Sequence, residues 1–307
     1  MMNANGCLDG KVIVITGAGR GIGREIALLA GAEGAKVVVN DLGASAEGGG
    51  ADATPADEVV AEIVKGGGEA VANPDNVADW DGAQRIIATA IERFGRVDAV
   101  VNNAGILRDS IFHRLTPEDF DQVVKVHLYG SFHVARAAAN FFKDQQSGSY
   151  VHFASASGLI GNLGQANYAA AKLGVVGLSK SIALDMARFG VRSNCIVPFA
   201  WSRLIGTLPE NSEEERQRVA RFKSMGPEKI APLTVFLASE LAHEVTGQIF
   251  AARRNEVFLM SQPRPIRSMH RAEGWTPTML AEQMLPAFKP DFYGLDRSAD
   301  VFSWDPV

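Results

Sequence analysis

The chain has 307 residues, of which 47% are hydrophobic, and its formal net charge at pH 7 is -5. This length and composition allow a sizeable core, and the acidic balance does not favour nucleic acid or an anionic membrane as a partner. No apolar run approaches the roughly 18 residues of a membrane-spanning helix, and the start MMNANGCLDGKV lacks the regions of a secretory signal. We therefore expect a soluble globular protein of the cytoplasm.

Short runs rich in Val and Ile alternate with amphipathic segments such as GREIALLAGAEG and DGAQRIIATAIERFG. Continuous apolar strands followed by helices are typical of a parallel sheet that helices cover on both faces. We therefore predict an α/β fold with a Rossmann-like, doubly wound parallel sheet, in a single domain over residues 8–251. The runs, in chain order, are KVIVITG, AKVVVNDLG, EAVANPDNV, VDAVVNNAG, SYVHFASASG and RSNCIVPF.

Three segments interrupt this alternation. Residues 43–55, GASAEGGGADATP, have the composition of a flexible, solvent-exposed loop, and the charged residues 207–224 predict a helical insertion. The C-terminal extension over 252–307 carries several prolines. We expect it to be an extended wrap without regular strands, lying over the same domain or at a subunit interface.

The two cysteines, Cys7 and Cys195, lie far apart in the sequence and belong to no CxxC motif or histidine cluster. This spacing predicts neither a disulfide framework nor a metal site. We expect both residues to be unpaired thiols.

The first predicted strand ends in TGAGRGIG, a glycine-rich turn into the next helix. Backbone without Cβ atoms can approach a pyrophosphate, whose charge is met by N–H groups at the helix N-terminus. Asp41 ends the second strand, where an acid accepts hydrogen bonds from an adenosine ribose and repels a 2′-phosphate. The pattern predicts a dinucleotide site that favours NAD over NADP, although Arg20 in the turn is weaker evidence for NADP.

Tyr168 and Lys172 lie four residues apart in YAAAK, with only alanines between them. Taken alone, such a pair merely shares one face of a helix, because alanine-rich stretches are good helix formers. A chemical role for the pair therefore depends on its neighbours in the sequence.

These features together resemble the short-chain dehydrogenase/reductase family, over about residues 8–250. The matching marks are TGAGRGIG, NNAG, Ser155, and the YxxxK motif of Tyr168 and Lys172. Ser155 lies thirteen residues before Tyr168, where the family places its catalytic serine, and Ser157 is a nearby alternative. The resemblance implies that Ser155, Tyr168 and Lys172 are catalytic.

The implied chemistry moves a hydride and a proton from a secondary alcohol. A phenol with a pKa near 10 is a poor base at pH 7, but the ammonium of Lys172 and the cationic nicotinamide of NAD would lower that pKa. Tyr168 would then take the hydroxyl proton, and Ser155 would orient the substrate oxygen. Lys172 would tune Tyr168 and hold the nicotinamide ribose.

One position departs from the family pattern. Many members carry an Asn on the helix after NNAG, whereas VVKVHLYGSF has His127 there. An incidental histidine in a packed helix is one interpretation. Another is a water-mediated proton path from Lys172, since a backbone carbonyl can hold the water whatever the side chain is. We leave His127 out of the catalytic set.

Several stretches resemble more narrowly the (3R)-hydroxyacyl-CoA dehydrogenase branch found in peroxisomal multifunctional enzymes and in bacterial relatives. They include EAVANPDNV, VHLYGSFHVARAA, GNLGQANYAAAKLG and VPFAWSRL. This resemblance implies a (3R)-hydroxyacyl-CoA or a steroid-side-chain hydroxyacyl-CoA as substrate, and a homodimer or homotetramer as the assembly. With the glycine-rich turn and the acid after the second strand, it gives as NAD-binding residues Gly17, Gly19, Arg20, Gly21, Ile22, Gly23, Asp41, Asp75, Asn76, Val77, Asn103, Ala104, Gly105, Tyr168, Lys172 and Pro198.

The residues leave the substrate open. Alternatives are a 17β-hydroxysteroid dehydrogenase on free steroid, an NADPH-linked 3-oxoacyl reductase, against which Asp41 argues, and a non-catalytic nucleotide-binding protein. The last would be expected to lose one of the three catalytic residues. Basic side chains that could meet CoA phosphates, or form a solvated surface instead, lie in a candidate lid over 203–225 and in the tail: Arg203, Arg216, Arg218, Arg221, Lys223, Arg253 and Arg254.

Overall fold

The computed structural model describes residues 6–45, 47, 49–50, 54–200, 212–213 and 224–307. Within these residues, one sheet has the strand order β3-β2-β1-β4-β5-β6-β7-β8, in which every neighbouring pair is parallel except the antiparallel β7 and β8. The predicted α/β fold with a doubly wound, mostly parallel sheet is confirmed. The strands are β1 (Val12–Thr16), β2 (Lys36–Asn40), β3 (Glu69–Asn73), β4 (Ala99–Asn102), β5 (Gly148–Phe153), β6 (Val191–Phe199), β7 (Ile249–Arg253) and β8 (Glu256–Leu259).

Helices cover both faces of this sheet. A segment of π-helix, Lys125–Tyr129, joins the fourth and fifth helices. In chain order, the helices are α1 (Gly21–Ala32), α2 (Thr54–Lys65), α3 (Trp80–Phe94), α4 (Pro117–Val124), α5 (Gly130–Gln145), α6 (Ala156–Leu159), α7 (Ala166–Met186), α8 (Ala231–Ala238), α9 (Pro277–Met279), α10 (Leu285–Phe288) and α11 (Ser298–Val301).

Local sequence explains how the helices begin and end, and α3 is a clear example. The side chain of Asp79 accepts a hydrogen bond from the N–H of Gly82, which caps the first turn. Gly95 ends the helix in the left-handed conformation, with φ of 80°. Between these caps, Ile86 and Ile87 belong to the buried face that holds the helix on the sheet.

The core lies on both sides of the central strands, because successive side chains of a strand point to opposite faces. Ile13 and Ile15 of β1 pack in one cluster with Ile26 of α1. Val12 and Val14 pack on the other face, in a cluster that includes side chains of α3 and α5. Each fully buried apolar side chain contributes about 1.5–3 kcal/mol, so this two-sided burial fixes the strand ends that carry the site.

The loop predicted over 43–55 is shorter than expected. Its described residues 43–45, 47, 49 and 50 are half-buried or exposed, but α2 begins at Thr54 and buries Pro55. Proline is favoured in the first turn of a helix, where its missing N–H has no intrahelical partner to lose. The helical insertion predicted over 207–224 lies almost wholly outside the described residues.

The prediction that the C-terminal extension lacks regular strands is wrong. Strand β7 crosses the predicted boundary at 251/252, and β8 adds to it through a tight turn at Arg254, which has φ of 54°. The short apolar run EVFL gave no alternating pattern long enough to predict this edge strand. Beyond β8, residues 260–307 form only short helical segments. That this extension wraps the same domain or lies at a subunit interface stays a prediction.

Arg253 ties the last residues of the chain to the sheet. Arg253 is 3% exposed. Its guanidinium donates to Glu256 Oε2 at 2.8 Å and to the carbonyl oxygen of Trp304 at 3.0 Å, and it lies 4.7 Å from the centroid of the Trp304 ring. Phe302 packs against Phe199 at the end of β6, with ring centroids 4.6 Å apart. The expectation that Arg253 meets CoA phosphates or lies on a solvated surface is therefore wrong, because the protein itself occupies this side chain.

Among the described residues, no helix combines the length and the apolar character that a bilayer crossing needs. In the same part of the chain, no three His, Cys, Asp or Glu side chains are grouped in a way that could hold a metal ion. Cys7 is partly buried, Cys195 is buried, and both are free thiols.

Candidate active site

The carboxyl ends of five adjacent parallel strands, β2, β1, β4, β5 and β6, lie along one edge of the sheet. The chain winds outward in opposite directions from β1 and β4, and doubly wound sheets leave a ligand crevice at such a point. The sequence-predicted site residues that the structure describes lie just beyond the strand ends, within β6, on the first turn of α1, or on the first two turns of α7.

The glycine-rich turn connects β1 to α1 through close backbone packing. A Cβ atom on Gly23 would lie 2.1 Å from the carbonyl oxygen of Gly17, so the helix approaches the strand end only with glycine there. Arg20 precedes α1 without a side-chain capping bond, Gly21 is exposed, and the first turn has no acidic residue. The N–H groups of this turn therefore suit an anion such as a pyrophosphate. Ile22, by contrast, packs against the core.

Asp41 follows β2 and faces the glycine-rich turn. Its Oδ2 accepts the N–H of Gly19 at 2.7 Å, and its Oδ1 accepts the N–H of Gly43 at 2.7 Å. The protein thus fixes the orientation of the carboxylate. Each carboxylate oxygen can accept more than one hydrogen bond, so capacity remains for ribose hydroxyls.

The segment after β3 lies at the same edge of the sheet, and its polar side chains form hydrogen bonds within the protein. Asp75 Oδ1 accepts from Arg85 Nε at 2.7 Å, and Asn76 Oδ1 accepts the N–H of Ala78 at 2.9 Å. Val77 is buried among the side chains of the second core cluster. These contacts hold the loop in place where the resemblance puts the adenine.

The segment after β4 is bonded to the end of β1. Asn103 Nδ2 donates to the carbonyl oxygens of Thr16 at 3.1 Å and Gly17 at 3.0 Å. The N–H groups of Asn103 and Ala104 both donate to the Thr16 hydroxyl at 3.1 Å. Thr16 was not among the predicted site residues. The sequence feature that could have indicated it is its position as a polar residue at the end of the apolar strand β1.

Ser155, Tyr168 and Lys172 converge beyond the end of β5. Lys172 is 5% exposed, its Nζ donates to the carbonyl oxygen of Phe153 at 2.6 Å, and this Nζ lies 5.7 Å from the centroid of the Tyr168 ring. Ser155, between β5 and α6, lies close enough to the Tyr168 phenol for its hydroxyl to lower the pKa of Tyr168. The three side chains that the sequence singled out are therefore neighbours.

The structure separates the two candidate serines. The Ser157 hydroxyl donates to Gln165 Oε1 at 2.7 Å, whereas the Ser155 hydroxyl acts on the pKa of Tyr168. Gln165 Nε2 in turn donates to Asp109 Oδ2 at 2.7 Å. Neither Gln165 nor Asp109 was among the predicted site residues, although Gln165 belongs to the stretch GNLGQANYAAAKLG that carries the resemblance.

Burial dominates the protonation of the catalytic pair. It raises the pKa of Tyr168, an effect that the Ser155 hydroxyl opposes and the Asp109 carboxylate reinforces. It also lowers the pKa of Lys172 to about 7. In the protein alone the pKa of Tyr168 is thus raised, because desolvation of the phenolate outweighs the effect of the Ser155 hydroxyl. A lowering by bound nicotinamide stays a prediction.

His127 is buried in the π-helical segment, directly behind the site. Its Nε2 lies 2.8 Å from the carbonyl oxygen of Ile106, and its ring meets the Tyr168 ring edge-on with centroids 5.1 Å apart. A Cβ atom on Gly105 would lie 2.3 Å from His127 Cε1. Gly105 therefore leaves the space that the imidazole of His127 occupies, which explains why a glycine is needed at this position of NNAG.

Pro198 lies in β6, where it pairs with Ala252 of β7. The candidate lid cannot be placed in the same way, because most of 203–225 lies outside the described residues. This applies to each of its basic side chains, Arg203, Arg216, Arg218, Arg221 and Lys223.

The chain is similar to several known proteins. The chain is 50% identical over 232 residues to a Mycobacterium tuberculosis protein described as a short-chain type dehydrogenase/reductase. The matched region covers 75% of this chain and 78% of that protein. It is 46% identical over 240 residues to peroxisomal multifunctional enzyme type 2 of Mus musculus, covering 78% of this chain but 31% of that enzyme. The chain thus spans under a third of the mouse enzyme's length.

A solved structure of 7α-hydroxysteroid dehydrogenase, complexed with NADH and 7-oxo glycochenodeoxycholic acid, has a TM-score of 0.73 and 29% identity, over 83% of this chain and 98% of that one. The family model described as short chain dehydrogenase matches residues 11–202. The resemblance predicted from the motifs, including that to the peroxisomal multifunctional enzymes, is confirmed. The chain is an oxidoreductase that belongs to the short-chain dehydrogenase family.

Proposed function

We propose that this chain is an NAD-dependent dehydrogenase that oxidises a (3R)-hydroxyacyl-CoA or a steroid-side-chain hydroxyacyl-CoA to the ketone. The observation that carries the reaction type is the convergence of Ser155, Tyr168 and Lys172 beyond the end of β5. The likeness to peroxisomal multifunctional enzyme type 2 supports the substrate class. The proposal also includes a homodimer or homotetramer, which light scattering would test.

The residues at the other end of the site fit a dinucleotide. The first turn of α1 carries no acidic residue or side-chain cap, so its N–H groups would hold the pyrophosphate. Asp41, fixed by two backbone N–H groups, would accept hydrogen bonds from the adenosine ribose. A 2′-phosphate at this place would meet a carboxylate, which is the reason for proposing NAD over NADP.

Bound NAD would supply the hydride acceptor, and the chain's own residues would handle the proton and the geometry. Tyr168 would accept the hydroxyl proton as the carbon–hydrogen bond breaks and its electron pair leaves with the hydrogen. Ser155 would orient the alcohol oxygen towards the phenol. Lys172, anchored on the carbonyl oxygen of Phe153, would stabilise the phenolate with its ammonium and bond the nicotinamide ribose.

The test is a panel of alcohols assayed with NAD and with NADP by absorbance of the reduced cofactor. The panel holds 3-hydroxyacyl-CoAs of both configurations, a steroid-side-chain CoA ester, the matching free hydroxy acids and 17β-estradiol. Binding energy from a remote CoA group can position the reacting carbon. We therefore expect kcat/KM for a thioester at least about 10²-fold above its free acid, equivalent to roughly 2.7 kcal/mol.

Each rival function has its own outcome in this panel. Turnover of estradiol without turnover of any thioester would show a free hydroxysteroid dehydrogenase and contradict the acyl-CoA proposal. A preference for NADP of tenfold or more would contradict the role of Asp41 and favour a 3-oxoacyl reductase. Preference for the (3S) thioester would keep the substrate class but contradict the stereochemistry. NADH binding without turnover of any alcohol would indicate a non-catalytic nucleotide-binding protein.

A further inference from the structure

Two buried asparagines lie opposite each other at the carboxyl ends of β2 and β3. Asn40 is 1% exposed and Asn73 is 4% exposed, and they form the last pair of the parallel ladder between these strands. The other residues that β2 buries are all valines. A buried amide costs desolvation energy unless it forms hydrogen bonds, so the bonds of these two side chains indicate which part of the protein they stabilise.

The Asn40 amide bonds the segment that follows β3. Its Nδ2 donates to the backbone oxygen of Asn73 at 3.1 Å, to Asn73 Oδ1 at 2.9 Å and to the backbone oxygen of Asp75 at 2.8 Å. Nδ2 carries two hydrogens for these three oxygens, so one N–H is shared. Because backbone oxygens can only accept, they also fix which end of the Asn40 amide is the nitrogen.

Asn73 continues this network to Asp75 and to α3. Its Oδ1 accepts the N–H of Asp75 at 3.0 Å, and its Nδ2 donates to Asp75 Oδ2 at 2.9 Å and to the Thr89 hydroxyl at 3.0 Å. The Thr89 hydroxyl in turn donates to the carbonyl oxygen of Arg85 at 2.9 Å, and Arg85 Nε donates to Asp75 Oδ1 at 2.7 Å. The backbone and the carboxylate of Asp75 are therefore both held by the protein.

The same two asparagines are joined to the glycine-rich turn and to Asp41. The carbonyl oxygen of Asn40 accepts the N–H of Ala18 at 3.0 Å, and the carbonyl oxygen of Asn73 accepts the N–H of Asp41 at 3.1 Å. Three segments that would hold the adenosine half of NAD therefore meet at one pair of buried residues. Of the three, the segment after β3 depends on the side-chain amides, because Ala18 and Asp41 bond backbone oxygens.

We propose that Asn40 and Asn73 are positioning residues for the adenine end of the cofactor, because their paired amides hold residues 74–77 in the conformation that receives the adenine. The inference rests on the proposed function, since it needs a dinucleotide in this crevice. Both side chains are buried, so they act through the segment rather than by touching the nucleotide. A segment that is held before the ligand arrives loses less conformational entropy on binding. Loss of the amides should therefore weaken affinity, while Asp41 still selects between NAD and NADP.

Calorimetric titration of NAD, NADP and ADP-ribose into Asn40→Ala tests the proposal. We expect the Kd values for NAD and ADP-ribose to rise about tenfold, with the ratio of the NADP and NAD values within about twofold of the wild type. Asn194→Ala is the matched control, because Asn194 is a fully buried asparagine on β6, four strands along the sheet from β2. It bonds the carbonyl oxygen of Val245 and the N–H of Gln248, so its loss should lower the melting temperature but leave the Kd values unchanged.

Thr89→Val keeps the proposal testable if Asn40→Ala does not fold. It replaces a half-buried hydroxyl by a methyl group of similar size and removes one partner of Asn73, so the Kd for NAD should rise about threefold. A second readout, hydrogen exchange followed by mass spectrometry, needs no ligand. Peptides that span residues 74–78 should exchange faster in Asn40→Ala and Thr89→Val than in the wild type and Asn194→Ala.

The outcomes separate failure of this inference from failure of the proposed function. Wild-type protein that binds neither NAD nor NADP would contradict the proposed function, and this inference with it. If the wild type binds NAD, then unchanged affinity in folded Asn40→Ala, or an equal loss of affinity in Asn194→Ala, would overturn the inference alone. Unchanged affinity and unchanged exchange in Thr89→Val would overturn it as well.

Discussion

The two ends of the candidate site are built in opposite ways. At the cofactor end, Asp41 lies at a partly exposed edge, and both of its oxygens accept N–H groups of the protein's own loops. At the catalytic end, Lys172 is buried, and His127 Nδ1 and His152 Nε2 lack a hydrogen-bond partner among the residues that the structure describes. Polar groups whose hydrogen bonds are all made by the protein have a fixed geometry, which suits binding of a ligand that does not change during the reaction. Buried polar groups with fewer hydrogen bonds have shifted pKa values, which suits residues whose protonation changes during the reaction.

Because of this difference, we expect the two ends to respond differently to substitution. Changes at the cofactor end should alter which nucleotide binds while the fold stays intact. Changes at the catalytic end should alter the chemistry and, through the buried charge, the stability of the protein.

Tyr168→Phe is expected to give the largest effect. It removes the proposed base without changing the ring that packs against His127, so turnover should fall by about 10²-fold or more while NADH binding stays measurable. Steady-state kinetics and NADH fluorescence titration check both parts. Tyr129→Phe, which changes an exposed phenol, is the control. Wild-type kcat in Tyr168→Phe would exclude the mechanism.

Lys172→Met should lower turnover and, at the same time, raise the free energy of unfolding in a pH-dependent way. The pKa of Lys172 is about 7 in the folded protein, against about 10.4 for an unperturbed lysine, so between these values the unfolded chain binds more protons. This residue therefore makes the wild type more stable as pH rises through that window, by up to about 1.4 kcal/mol per pH unit, and the gain is absent below the lower value.

Urea denaturation at several pH values measures this difference. The stability advantage of Lys172→Met over the wild type should be largest near pH 6 and should shrink as the pH rises, while turnover and cofactor affinity are lost throughout. Lys180→Met, on the same helix and bonded to the carbonyl oxygen of Gly247, is the matched control. A pH-independent difference between Lys172→Met and the wild type would contradict the burial of a charge at this position.

Asp41→Ala tests the other end of the comparison. Loss of hydrogen bonds to a charged group, about 1.5–3 kcal/mol, should raise the Kd for NAD by about tenfold or more and leave kcat at saturating NAD nearly unchanged. Calorimetric titration with NAD and NADP checks the change, and Asp121→Ala, whose partner is Lys125 on the surface, is the control. Equal loss of affinity for both nucleotides would contradict selection at the ribose.

Phe302→Ala lies outside the cofactor end and the catalytic end of the site, and we expect it to have the smallest effect on activity and stability. It removes the ring that packs on Phe199 and Phe258, so the last turn of the tail should loosen while the sheet keeps its melting temperature within a few degrees. Limited proteolysis followed by mass spectrometry should show earlier cleavage after residue 260. Tyr293→Ala, which changes a residue that is 90% exposed, should leave the cleavage pattern unchanged.

The sheet and the main site residues could be predicted from the sequence because each depends on a short, local sequence pattern. Apolar runs give the strands, and the strand ends place Asp41, Ser155 and Tyr168 along one edge. The use of Arg253 could not be predicted, because its partners Phe302 and Trp304 lie about fifty residues further along the chain. That His127 Nδ1 has no partner among the described residues could not be predicted either, since it depends on which atoms of neighbouring elements reach the ring.

Gly105 and His127 impose an order on any attempt to redesign this site. A methyl group at position 105 collides with the imidazole, so an alanine there is unfavourable as long as the histidine is present. A smaller residue at position 127 removes that obstacle and makes the change at 105 acceptable. A directed-evolution route that alters 127 first is therefore open, whereas the reverse order passes through a poorly folded intermediate variant.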